Sequence, residues 1–89
     1  MKKEIKKNLE RRLKIIAGQI HGLEKMVAEE KYCIDIITQS SAIRNALLSI
    51  ENIMLENHLN THVIEQIKNG KDKVATNEIL KVFNIINKK

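Results

Sequence analysis

The chain has 89 residues, with 16 Lys+Arg against 11 Asp+Glu, a formal charge of +5, one cysteine and only two aromatic residues. That length allows one small domain whose core is marginal for a monomer, because short chains bury a smaller fraction of their surface. One cysteine excludes an intramolecular disulfide, no apolar run approaches the ~18–20 residues that span a bilayer, and the basic start MKKEIKKNLERRLK lacks the apolar stretch of a signal peptide. A cytoplasmic protein with no membrane partner is therefore expected. The positive charge suits double-stranded DNA, and equally a solvated lysine-rich helix surface. Tyr32 and Phe83 are too few to build a stacking platform for single strands.

The absence of proline leaves helix uninterrupted almost everywhere. A first helix is predicted over Lys3–Glu29, where Ile5, Leu9, Leu13, Ile16, Ile20, Leu23 and Val27 recur at three- and four-residue steps. Gly18 and Gly22 lie inside it, each weakening the helix by up to ~1 kcal/mol relative to alanine. Their expected return is close approach of a neighbouring helix. EEKYC makes a short connection to a second, long helix from Tyr32 to about Asn69, closed by Gly70 in the left-handed conformation. The apolar residues of this helix, from Ile34 to Ile67, cover several faces, so several faces must be covered, and subunit contacts are implied. Ser40, Ser41, Ala42 and Ala46 near its middle are small enough to let two helices cross closely. After a polar connection, a third helix is predicted over NEILKVFNIINKK, with Thr76 as its N-cap and Glu78 in its first turn.

The chemistry concentrates in NHLNTH, which places His58 and His62 four apart on one helix face. Two imidazoles make an incomplete metal site. Cys33 is the best third ligand, but it precedes His58 by 25 residues. At ~1.5 Å rise per residue the two stand nearly 40 Å apart on a straight helix. They can share one ion only if two copies pack antiparallel. The crossing then falls midway, near residue 46 or 47, within the small-residue stretch already singled out. A two-fold axis generates two equivalent sites. One thiolate with two imidazoles in a plane suits Cu(I), whereas Zn(II), Ni(II) or Co(II) needs a further group or water. The same residues also fit a solvated histidine face and an inert small thiol.

RRLKIIAGQIHGLEKMVAEEKYCIDIITQSSAIRNALLSI followed by ENHLNTH resembles the copper-sensitive operon repressor (CsoR/RcnR) family, over roughly residues 8–86. The family also contains nickel/cobalt, formaldehyde and persulfide sensors. The resemblance implies an all-α protein with three helices per subunit, an antiparallel dimer doubling into a tetramer, and residues 1–89 as a single metal-sensing, DNA-binding helical domain. It implies a repressor that binds operator DNA when metal-free and releases it when the effector binds. The family's copper ligands map onto Cys33, His58 and His62, the last standing where copper sensors have a second cysteine. The family's tyrosine and glutamate beside the ligands map onto Tyr32 and Glu78. For Glu78 the chemistry is sensible, because a metal-bound histidine can donate its other N–H to a carboxylate. The DNA-contacting positions map onto Arg12, Lys14 and Arg44, with Arg11 and Lys25 able to extend the same surface. An arginine of the copper branch is Ser49 here, and His21 is read as a helix-face residue.

His62 also fits the nickel/cobalt branch, which uses a further histidine near the N-terminus where this chain has Met1, Lys2, Lys3 and Glu4. A formaldehyde sensor is expected to carry proline at the place of Lys2, and a persulfide sensor a second cysteine. A copper-responsive repressor is the first expectation, and a nickel/cobalt sensor the nearest rival. A metal-independent helical interaction module is the rival of a different class. A small-molecule substrate and an enzyme are not expected. Cys33 and His58 could imitate a nucleophile–base pair, but nothing supplies an oxyanion hole.

Overall fold

A computed structural model describes residues 1–88, and every regular element among them is helical. Helix α1 spans Lys3–Ala28 and α2 spans Cys33–His58; a five-residue π segment, Leu59–Val63, runs directly into α3, Ile64–Lys68; α4 spans Asp72–Ile86. The chain divides into two units, Met1–Met54 and Leu55–Lys89. The predicted first helix and the long second helix are both present. The second changes register in the π segment, which composition did not foretell.

In the first unit, Leu9 and Ile16 of α1, seven residues apart and hence on one face, are buried, as is Ile43 of α2. Gln39 Nε2 donates to the Gln19 carbonyl at 3.4 Å and ties the two helices. Much of the predicted apolar stripe is left uncovered: Leu13, Ile20 and Val27 are exposed, and so are Ile34, Ile37, Leu47 and Leu48 of α2. A Cβ added at Gly18 or Gly22 would meet nothing within 4 Å. The close helix approach expected there is not made by any described residue of this chain.

In the second unit, Val63 of the π segment and Ala75 of α4 are buried. Leu55, Leu59, Ile79, Val82 and Phe83 surround an apolar hollow of about 180 Å³. The reversal between α3 and α4 is made at Gly70, with φ +73°. Lys71 N–H reaches back to the Gln66 carbonyl at 2.7 Å and Gly70 N–H to that of Ile67 at 3.1 Å, closing the helix with the paired bonds typical of a left-handed cap. The end of α1 uses the same device with a different residue. Glu30 takes φ +53°, Lys31 N–H bonds the Met26 carbonyl and Glu30 N–H that of Val27, both at 3.0 Å.

The third predicted helix begins earlier than the sequence suggested. It starts at Asp72, so Thr76 lies inside it and Glu78 beyond its first turn. Thr76 is a good cap by residue type, but its hydroxyl donates to the Asp72 carbonyl at 2.9 Å, a bond only an interior position makes. The Gly70 turn sets the start of α4. Lys89, counted in the predicted helix, lies outside the described residues.

Candidate metal centre and nucleic-acid surface

His58 is the last residue of α2, and His62 belongs to the π segment. Thr61, between them, donates its hydroxyl to the Asn57 carbonyl at 2.6 Å. Such a bond offers the backbone an alternative partner within the helix, and here it coincides with the change from α to π spacing. Helical segments of this kind occur frequently at functional sites. The two imidazole centroids are 5.3 Å apart and their planes inclined by 36°. The two imidazoles are close enough that they could both serve one metal ion.

His58 Nε2 lies 2.8 Å from Glu78 Oε2. A carboxylate only accepts, so this bond puts the proton on Nε2. In the neutral ring that leaves the Nδ1 lone pair for a ligand. Gln66 of α3 donates its amide N–H to the same Glu78 oxygen at 3.3 Å. These contacts hold the Glu78 carboxyl below its ordinary pKa of 4.5: the Gln66 hydrogen bond contributes most, then that from His58, with smaller help from the nearby charge of both imidazoles and opposition from burial. The side chains of His58 and Glu78 are 30% and 40% exposed, so the cluster sits at the surface, open on one side.

Cys33 is the first residue of α2, exposed and unpaired. The Tyr32 side chain beside it is also exposed, and the Tyr32 carbonyl accepts from the N–H groups of Asp35 and Ile36 in the first turn of α2. Among the described residues, no group of three or more His, Cys, Asp or Glu side chains is placed to hold a metal ion. The second unit brings His58 next to His62 and to Glu78, and adds Gln66. Sequence reasoning missed Gln66. The signal was there in its spacing, four residues after His62 and eight after His58, which keeps all three near one helix face.

The basic residues singled out for DNA lie in the first unit. Arg11, Lys14 and Lys25 are exposed on one face of α1, their separations being close to whole numbers of turns. Arg12 is half-buried and donates from Nε to Asn8 Oδ1 at 2.6 Å, which fixes its guanidinium. Arg11 and Arg12, with Ile16, Gln19 and Ala46, line a shallow groove of about 220 Å³. Arg44 is exposed on α2, its Nη2 3.4 Å from Ser41 Oγ. Lys25 is engaged by Glu29 at 3.9 Å. Ser49 bonds its own helix at the Asn45 carbonyl, and His21 is exposed on α1.

An all-helical chain with a pair of neighbouring imidazoles, one of them held by a carboxylate, a free exposed thiol and a basic helix face fits a DNA-binding regulator that senses a metal. It belongs to the metal-sensitive transcriptional repressor family, whose model matches residues 5–86. The family recognised from the sequence and its all-helical fold are both borne out. A repressor of transcription acts on operator DNA, and the family is not a class of enzymes.

Among relatives, the chain is 38% identical to the copper-sensing transcriptional repressor CsoR of Bacillus subtilis (strain 168), over 88% of this chain and 77% of that one. It is 40% identical to the copper-sensing transcriptional repressor RicR of Mycobacterium tuberculosis (strain ATCC 25618 / H37Rv), over 73% and 68% of the two chains. The crystal structure of the copper-sensing repressor CsoR with Cu(I) from Geobacillus thermodenitrificans NG80-2 is similar with a TM-score of 0.91 at 39% identity, covering 99% of this chain and 92% of that one. No helix among the described residues is long and apolar enough to cross a membrane.

Proposed function

We propose that this chain is a Cu(I)-responsive repressor whose site is completed between two copies, Cys33 from one and His58 with His62 from the other. The observation that carries this reading is the held orientation of His58: Glu78 occupies Nε2 at 2.8 Å, which leaves Nδ1 for a ligand, and the His62 ring centroid lies 5.3 Å from that of His58. A single chain gathers no third ligand there among the described residues, and 25 helical positions separate Cys33 from His58. A second, antiparallel copy supplies the thiolate. The large apolar side chains left exposed, such as Ile34, Ile37, Ile64, Ile67 and Phe83, give that copy surface to cover. Two such dimers then form the tetramer.

The donor set fits the ion. A thiolate selects soft metals and imidazole suits copper, and three ligands satisfy Cu(I) without a fourth. Cys33, His58 and His62 would hold Cu(I), which would supply a link between the two chains. The residues do the rest: Glu78 fixes the His58 tautomer and joins α2 to α4, so a shift of the imidazole moves α4 with it. Tyr32, next to Cys33, serves as the corresponding outer partner of the thiolate. Preferential binding of metal by the conformation with low DNA affinity would release the operator. The chain acts as one metal-sensing, DNA-binding domain in the cytoplasm. Arg11, Arg12, Lys14, Lys25 and Arg44 supply phosphate contacts, so affinity falls steeply with salt.

The second imidazole at position 62 favours one other reading, a sensor of Ni(II) or Co(II), since imidazole nitrogen suits those ions whereas a second thiolate would favour Cu(I). Titrating the protein–DNA complex with Cu(I), Ni(II), Co(II) and Zn(II) under anaerobic reducing conditions separates them. Release by stoichiometric Cu(I) is the expected result. Release by Ni(II) or Co(II) alone overturns the copper assignment, and indifference to every metal makes the chain a metal-independent helical module.

A further inference from the structure

Glu78 accepts two hydrogen bonds on one oxygen, and only one of them comes from His58. The other comes from Gln66, on α3, twelve residues before Glu78 in the chain. The Gln66 amide is oriented by a mismatch. Its Nε2 faces Glu78, while its Oε1 is buried with no hydrogen-bond partner among the described residues. Turning the amide over would set Oε1 against the Glu78 carboxylate and bring two acceptors together. The carboxylate therefore dictates the orientation, although it leaves a buried acceptor unsatisfied, which disfavours the fold. A glutamine kept only for packing would be served as well by an apolar side chain of the same length.

We infer that Gln66 is a positioning residue for the metal centre: by donating to Glu78 Oε2 it locks the carboxylate on His58 Nε2 and so keeps His58 Nδ1 available for the ion. The inference rests on the copper-site reading for its consequence, while the lock itself belongs to the metal-free protein. The geometry gives a sequence of dependence. Gln66 holds Glu78, Glu78 holds the His58 tautomer, and the tautomer sets which ring nitrogen can bind. Gln66 also joins α3 to α4, so the link between the ligand-bearing helix and α4 has two strands, one through His58 and one through Gln66. An imidazole whose outer partner can swing away loses part of its orientation, and loss of such a partner typically weakens metal binding about 10–100-fold.

The test compares the unaltered protein with Gln66→Met, which keeps the length and burial of the side chain and removes both the donor and the unsatisfied acceptor. Long-range ¹⁵N–¹H NMR of the metal-free protein reads the His58 tautomer directly. Nε2–H is expected to dominate in the unaltered protein and to give way to a mixture in Gln66→Met. Cu(I) affinity, measured against a competing chelator, is expected to fall about tenfold, while the melting temperature stays level or rises. Gln66→Lys, which restores an N–H donor, is expected to recover the single tautomer. An unchanged tautomer in Gln66→Met, or affinity and thermal stability falling together with no recovery in Gln66→Lys, overturns the inference. Failure of the unaltered protein to bind Cu(I) would sink the copper reading alone, because the tautomer measurement decides the role of Gln66 without metal.

Discussion

The two parts of the proposed centre are built differently. The histidine part is braced before any ion arrives: His58 is held by Glu78, Glu78 by Gln66, and His62 stands beside them on a π turn. The cysteine part is bare, a lone exposed thiol at the first residue of α2. The contrast teaches where orientation is needed. An imidazole has two nitrogens and must be told which one to present. A thiolate has a single donor atom and needs only to be brought close, which assembly of two copies does. The braced part should therefore be graded in its response to mutation, and the bare part all-or-none.

The largest effect is expected at the bare part. Cys33→Ser removes the only thiolate from the donor set and should abolish Cu(I)-dependent release of DNA, with metal-free DNA affinity unchanged; fluorescence anisotropy with and without Cu(I) checks both. At the braced part, Glu78→Ala should leave all three ligands in place and weaken Cu(I) binding by about 10–100-fold. If Cys33→Ser costs no more than Glu78→Ala, the thiol is not a ligand and the centre lies elsewhere.

How far the sequence was legible follows the same division. The helices could be read from apolar periodicity and the lack of proline, and the turn at Gly70 from its residue type. The pairing of His58 with His62 was visible as a four-residue spacing, because local helix geometry alone creates it. The Gln66–Glu78 bond depends on how α3 and α4 fold back on each other, and no periodicity encodes that. The π segment escaped for another reason. Leu59–Val63 has ordinary helix composition, and a slip from α to π spacing changes no residue type. The start of α4 was misplaced because Thr76 suits a cap in isolation, whereas the turn before Asp72 decides where the helix begins.

The comparison extends to the turns that deliver each part. The turn before α4 uses Gly70 at φ +73°, while the turn before Cys33 places Glu30 at φ +53°. A left-handed conformation costs a residue with a side chain roughly 1–2 kcal/mol and glycine little. Glu30→Gly should therefore stabilise the fold by about 1 kcal/mol, net of the added chain entropy of the unfolded state. Gly70→Ala should destabilise it by a similar ~1 kcal/mol, since a Cβ there meets no neighbour and only the backbone is strained. Thermal melts at one fixed protein concentration check the pair, because assembly makes the midpoint concentration-dependent. Equal and opposite shifts would mean that the cysteine turn carries strain the histidine turn lacks. A loss of stability in Glu30→Gly would show instead that the Glu30 side chain contributes something only it can make.

The smallest effect is the acid response of the braced part. Gln66 and His58 hold the Glu78 carboxyl below its ordinary 4.5, so the folded protein releases that proton more readily than the unfolded chain does. Stability from this source is present above the unfolded value and disappears as pH falls from about 4.5 through the folded pKa. Partial exposure lets water screen it, so the contribution is small. In metal-free protein, the melting temperatures of the unaltered chain and of Glu78→Gln should be separated near neutral pH and converge once acidification has protonated Glu78 in the folded protein. Loss of the Cys33 thiol should leave that convergence unchanged, since no carboxylate is braced there. A gap unchanged by acidification would mean that Glu78 is held by packing and not as a carboxylate, and the graded behaviour expected of the histidine part would then have a steric origin.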